Sequence, residues 1–128
     1  MIGSCTNSSY RDLKTVALML RGKRVHPEVS AGVAPGSRQV VRMLAREGLL
    51  DEFIRAGFRT QENACGFCIG NSCAPESHGV SLRTSNRNFE GRSGTADAEI
   101  YLVSPESAAA AAIQGMILAM AVLFLFLR

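Results

Sequence analysis

The sequence predicts an α/β fold, three-layer α/β/α around a mostly parallel sheet, and three observations carry that expectation. Short apolar runs of strand type alternate with segments whose apolar residues recur at helical spacing, the pattern of βαβ units. The helical segments begin at serines and stop at glycines, where caps belong. The chain has 128 residues, 47% of them hydrophobic, which suffices for one domain with a buried core.

Ile2 reads as the end of a first strand, and Cys5 follows in the polar turn Ser4-Cys5-Thr6-Asn7. Ser8 or Ser9 can cap a helix by accepting a bond from a free backbone N–H. Leu13, Val16, Ala17 and Leu20 form its apolar face, and Gly22 ends it. An extended segment over 29–33 leads to Pro35-Gly36-Ser37. Ser37 caps a second helix carrying Val40, Val41 and Leu44, with Gly48 as its stop. Residues 49–56 form a short third helix closed by Gly57, and 58–60 a strand running into the loop Ala64-Cys65-Gly66-Phe67-Cys68-Ile69-Gly70. Residues 80–84 and 100–103 read as two further strands, separated by a polar loop over 86–97. Ser104-Pro105-Glu106 opens the last helix: a cap, a proline where no N–H is needed, and an acid at the positive end of the dipole. In parallel sheets, ligands gather beyond the C-terminal ends of the strands, where both cysteine-bearing loops and the arginine loop fall.

The formal net charge is +3, too mild for nucleic acid, and Arg21, Lys23 and Arg24 read as a solvated helix end. The opening residues lack the basic and apolar regions of a secretory signal, so the cytoplasm, or an organellar matrix, is the expected compartment. From Ala108 to Leu127 the only polar side chain is Gln114. That stretch has the length of a membrane span, but its first part is alanine, so a buried helix and an apolar tail are expected over an anchor.

Four cysteines in such a chain favour metal binding or catalysis over disulfides. Cys65 and Cys68 form a C-x-x-C unit, with Gly66 and Gly70 giving the backbone freedom to turn. The unit alone fits a redox pair, half a zinc site or an iron–sulfur site. Gly70, Asn71 and Pro75 break the segment that a redox motif would continue as a helix. A zinc site would draw on Cys5, Cys65, Cys68 and Cys73, or take His78 in place of one. Cys73 otherwise reads as a small buried residue.

Three longer segments make the pattern specific. Ile2-Gly3-Ser4-Cys5-Thr6-Asn7-Ser8 and Cys65-Gly66-Phe67-Cys68-Ile69-Gly70 resemble the two cluster-ligand signatures of the aconitase and isopropylmalate isomerase family. Ser85-Asn86-Arg87-Asn88-Phe89-Glu90-Gly91-Arg92 resembles its substrate-binding segment. Tyr101-Leu102-Val103-Ser104-Pro105 and the alanine run are also similar. The resemblance covers residues 2–115. It divides the chain into a partial cluster-bearing domain, 1–115, and an apolar tail, 116–128.

The resemblance implies a [4Fe-4S] cluster held by Cys5, Cys65 and Cys68, with Cys73 outside the motif. Three protein ligands leave one iron open as a Lewis acid for a substrate hydroxyl and carboxylate. It implies a small di- or tricarboxylic substrate met by Asn86, Arg87 and Arg92, since guanidinium groups clamp carboxylates through paired hydrogen bonds. Arg83, outside the matched core, reads as structure or rim. The expected reaction is reversible dehydration of a hydroxy-acid, citrate to isocitrate through aconitate as in the tricarboxylic acid cycle, with isopropylmalate or homoaconitate chemistry as the alternative. A non-catalytic zinc or iron–sulfur module, or an inactive truncated product, is the reading outside that class. The family's catalytic serine on a swivelling domain, and its His, Asp and Glu groups, have no counterpart in this segment. No catalytic residue is therefore assigned; His26 and His78 read as surface histidines. A separate chain or missing segment is the expected partner, and the segment alone is expected to be inactive.

Overall fold

The computed structural model describes residues 1–117. β1 (Ile2–Gly3), β2 (Gly32–Ala34) and β3 (Arg59–Thr60) form a parallel sheet in the order β1-β2-β3, with Ile2 opposite Val33 and Gly32 opposite Arg59. β4 (Val80–Arg83) and β5 (Glu99–Leu102) form a second parallel pair, with Val80 opposite Glu99. Two backbone bonds join these sheets. The Met1 amine donates to Leu82 O at 2.8 Å, and Thr84 N–H donates to Met1 O at 3.3 Å. One residue bonded to positions two apart on its neighbour is the parallel ladder pattern. Through these bonds the strands follow one another as β3-β2-β1-β4-β5, an order that reverses between β1 and β4. The α/β class with parallel strands holds.

The second strand lies one to three residues later than the expected 29–33. Val29 N–H turns back onto His26 O, and pairing begins only where the Ala31 and Val33 carbonyls accept from Arg59 and Gln61. β4 stops one residue short of the expectation because Thr84 turns its side chain to the neighbouring strand instead: Gly3 N–H donates to Thr84 Oγ1 at 2.9 Å.

α1 (Tyr10–Leu20) is capped by Ser9. The Ser9 hydroxyl accepts from Asp12 N–H at 3.2 Å, and the Asp12 carboxylate accepts from Ser9 N–H at 3.1 Å, a reciprocal capping box. Ser8 is buried and donates to Ser4 O instead. α2 (Arg38–Arg46) is capped by Ser37, α3 (Leu49–Ala56) closes at Gly57, and α5 (Pro105–Gln114) is capped by Ser104. α1 touches all three of these helices. Ala108, Ala109 and Ala112 of α5 are buried in the shared core, where small side chains allow close approach. That core centres on Leu13, Val16, Leu20, Val33, Leu44 and Phe53, with Phe53 edge-on to Phe58 at 5.6 Å. Arg21 is exposed and pairs with Glu52 at 3.0 Å.

Where a loop was expected around the C-x-x-C unit, there is a single helical turn, α4 (Gly66–Ile69). Cys68 N–H donates to Cys65 O at 3.0 Å, and Gly70, in the left-handed region, ends the turn. α5 ends at Gln114, with Gly115 left-handed. No helix among the described residues is long and apolar enough to cross a membrane, and residues 118–128 of the expected tail lie outside the described residues.

Candidate metal centre and carboxylate site

Cys5 follows β1, Cys65 and Cys68 follow β3, and Asn86 to Arg92 follow β4, so all lie beyond strand C-termini. Cys5 and Asn86 flank the reversal of strand order between β1 and β4, the kind of place where open α/β sheets bind ligands. The chain has to bend sharply as it leaves β1. Gly3 has φ +99°, and a Cβ there would come within 2.1 Å of Ala34 O. Ser4, at φ 92°, and Asn7, at φ 54°, also adopt the left-handed side, which non-glycine residues rarely do. The turn is tied down in return: Asn7 Nδ2 donates to Thr84 O at 2.8 Å and Ser8 Oγ to Ser4 O at 2.5 Å.

The turn aims Ser4 and Cys5 at the C-x-x-C segment. Ser4 is buried, and its hydroxyl lies 2.8 Å from Cys68 Sγ. Cys5 N–H donates to the same hydroxyl at 2.6 Å. The hydroxyls of Thr6 and Ser4 hold the Cys5 thiol below its ordinary range, with Thr6 the larger cause. The Cys65 thiol is pushed up by the negative charge of Cys5 and then of Cys68. Cys65 thus stands within electrostatic reach of both Cys5 and Cys68. Cys5 and Cys65 are exposed, Cys68 is buried, and all are free.

Cys73 stands apart. Its carbonyl holds Arg83, and its side chain borders an open cleft of about 800 Å³ with Met1, Val29, Phe58 and Leu82. That cleft includes none of Cys5, Cys65 or Cys68. Its size reflects an uncovered surface, and the chemistry-bearing side chains are elsewhere. His78 is exposed and faces Asp97 at 3.5 Å, while His26 Nδ1 accepts from Glu28 N–H at 3.3 Å; neither joins the cysteines.

Among the described residues, no three His, Cys, Asp or Glu side chains converge closely enough to hold one ion. The four-ligand zinc arrangement is therefore not preformed.

Arg92 is the arginine that reaches this centre. Its Nε donates to Cys68 O at 3.2 Å and its Nη1 to Arg87 O at 2.6 Å, while its guanidinium lies 5.8 Å from the Phe89 ring. Its charge draws Cys65 down, against the larger push of the other thiols. Asn86 and Arg87 are exposed on the same loop, and among the described residues their side chains make no hydrogen bond or ion pair. The loop is pressed onto the cysteine segment at Gly70, where a Cβ would meet Ser93 O and Gly94 Cα at 2.4 Å.

Three residues at this centre were not singled out from sequence. Ser4 and Thr84 are small hydroxyl residues whose partners are remote in the chain. Arg83, expected as structure or rim, is 2% exposed and lies behind the cysteine segment. It donates to Phe67 O at 2.5 Å, Cys73 O at 2.7 Å and Ser81 Oγ at 3.1 Å.

The chain matches known proteins along most of its length. A family model described as the aconitase family (aconitate hydratase) matches residues 1–115. The 3-isopropylmalate dehydratase large subunit of Moorella thermoacetica is 43% identical over 120 residues, covering 93% of this chain and 28% of that protein. The 3-isopropylmalate dehydratase large subunit 1 of Archaeoglobus fulgidus is 46% identical over 117 residues, 91% of this chain and 28% of the relative. The homoaconitase large subunit of Thermus thermophilus is 46% identical over 115 residues, 89% of this chain and 28% of the relative. The chain thus spans little more than a quarter of the length of these relatives. With the family model matched along nearly all of its described length, the chain belongs to the aconitase family, a family of hydro-lyases.

Proposed function

We propose that this chain is the cluster-bearing part of a hydro-lyase acting on an isopropylmalate- or homoaconitate-type hydroxy-acid. What supports the reading is the placement of three free thiols, Cys5, Cys65 and Cys68, in the loops that follow β1 and β3, with the Ser4 hydroxyl 2.8 Å from Cys68 Sγ and Arg92 bonded to the Cys68 carbonyl. The substrate class departs from the citrate–isocitrate reaction of the tricarboxylic acid cycle expected first. The names of the relatives, isopropylmalate dehydratase and homoaconitase, favour the alternative.

In this reading Cys5, Cys65 and Cys68 hold a [4Fe-4S] cluster, which when bound supplies one iron open to a hydroxyl and a carboxylate. Ser4 donates its hydroxyl to the Cys68 sulfur and fixes the direction from which that thiolate approaches. Arg92, with part of its fork spent on Cys68 O and Arg87 O, retains donors for a substrate carboxylate. Arg87 and Asn86, exposed and without side-chain partners among the described residues, supply further donors from the same loop. The residue that removes the proton lies in the part of the enzyme beyond this segment. Because the matched relatives are large subunits, a small subunit is the proposed partner.

The test uses the 128-residue chain reconstituted anaerobically with ferrous iron and sulfide. The electron paramagnetic resonance spectrum of the reduced sample should change on adding 3-isopropylmalate or homoaconitate, with no turnover by the chain alone. A loaded chain whose spectrum ignores both acids contradicts the substrate assignment. Turnover without a partner contradicts the proposed division of the active site.

A further inference from the structure

Arg83 is the last residue of β4 and one of the most deeply buried large side chains in the chain, at 2% exposure. A buried guanidinium ordinarily faces a carboxylate. Here it does not: the ion pairs among the described residues are Lys14–Glu47, Arg21–Glu52, Arg55–Asp51 and His78–Asp97, all elsewhere. Arg83 instead spends its fork on two carbonyls and a hydroxyl, those of Phe67, Cys73 and Ser81. Neutral acceptors satisfy its donors but leave its charge unmatched. The titratable groups around it are the thiols of Cys68 and Cys73 and the Met1 amine, itself a cation when protonated. The two carbonyls it holds bracket the stretch that carries Cys68, one residue before it and five after.

We propose that Arg83 is a positioning residue for the cluster. Its fork fixes the backbone from Phe67 to Cys73, and its buried charge is the counterpart of the Cys68 thiolate carried on that stretch. This rests on the reading that the cysteines hold an iron–sulfur cluster. A cluster with three thiolate ligands is anionic, so its binding supplies the negative charge that the neutral acceptors of Arg83 do not. Lysine would keep the charge and lose the planar fork; methionine would keep the apolar length and lose both.

The experiment compares the wild-type 128-residue chain with Arg83→Lys and Arg83→Met, each reconstituted anaerobically with ferrous iron and sulfide. It reads iron bound per chain, the rate of iron loss to a chelator, and the midpoint potential of the bound cluster. Arg83→Met is expected to lose iron roughly tenfold faster, as removal of an outer-shell partner does. Its potential is expected to fall, because a buried cation no longer stabilises the added electron. Arg83→Lys is expected to keep most of the potential. A loaded Arg83→Met with unchanged potential and iron loss overturns the proposal. Where Arg83→Met does not fold, Arg83→Lys decides: a loaded cluster near the wild-type potential supports the proposal, and failure as complete as that of Arg83→Met overturns it. A wild-type chain that takes up no iron overturns the cluster reading itself, and this inference with it.

Discussion

The helical layer and the rim beyond the strand ends are built from different materials. In the layer, Leu13, Val16, Leu20, Leu44 and Phe53 are almost wholly buried, and α1 meets α2, α3 and α5 through apolar contact. In the rim, the buried residues include Ser4, Ser8, Arg83 and Thr84, held by directional bonds to backbone atoms. Burial is non-directional and tolerates small shifts; hydrogen bonds and left-handed backbone specify where an atom points. A thiol that must meet a metal group needs the second kind of support. Damage to the layer should therefore unfold the whole chain, and damage to the rim should loosen the site first.

The largest effect belongs to the layer. Phe53→Ala, which also removes the edge contact with Phe58, should cost about 3–5 kcal/mol in denaturant unfolding. A loss below about 1 kcal/mol would mean that Phe53 does not anchor this core.

The Met1 amine lies on the boundary of the two regions. Burial, and then the nearby Arg83 charge, push it down to about 5. The unfolded chain takes up that proton near pH 8 and the folded chain only near pH 5. Stability should therefore decline as pH falls from 8 to 5, by up to about 4 kcal/mol, at about 1.4 kcal/mol per unit. Acetylating the amine should flatten that dependence; an unchanged pH profile after acetylation contradicts the assignment.

Thr84→Val sharpens the contrast within the rim. It keeps the shape but leaves Gly3 N–H without its acceptor, at about 1–3 kcal/mol. Hydrogen exchange should rise at Gly3 before it rises in α1. Equal increases in both would mean that rim and layer open as one unit. The smallest change is Ser9→Ala, which removes one half of the capping box at the start of α1 and should cost about 1 kcal/mol. A loss near that of Phe53→Ala would place Ser9 in the support of the whole core.

The layer was far more legible than the rim. Caps at Ser37 and Ser104, the stop at Gly57 and the apolar face of α1 are local signals, and the structure has them where the spacing puts them. The joining of β1 to β4 depends on Met1 meeting Leu82, which no local pattern encodes. Arg83 sits among Ser81, Thr84 and Ser85 and so reads as structure or rim; its burial against carbonyls 10 and 16 residues away settles on structure. C-x-x-C spacing by itself left redox, zinc and iron–sulfur chemistry open, and the longer signatures narrowed it. The single turn of α4 was missed because four residues are too few for a periodic signal. Cys5 depends on backbone that bends at Gly3 and Ser4 and on the Ser4 and Thr6 hydroxyls that meet its sulfur, neither of which appears in hydropathy.

The most direct measurement is iron and sulfide content after anaerobic reconstitution of four variants: Cys5→Ser, Cys65→Ser, Cys68→Ser and Cys73→Ser. The expected result is a stable four-iron cluster in the wild type and in Cys73→Ser, and its loss in each of the other three. A cluster that survives loss of Cys5, Cys65 or Cys68, or that disappears with Cys73, would contradict the ligand set on which the proposed function stands.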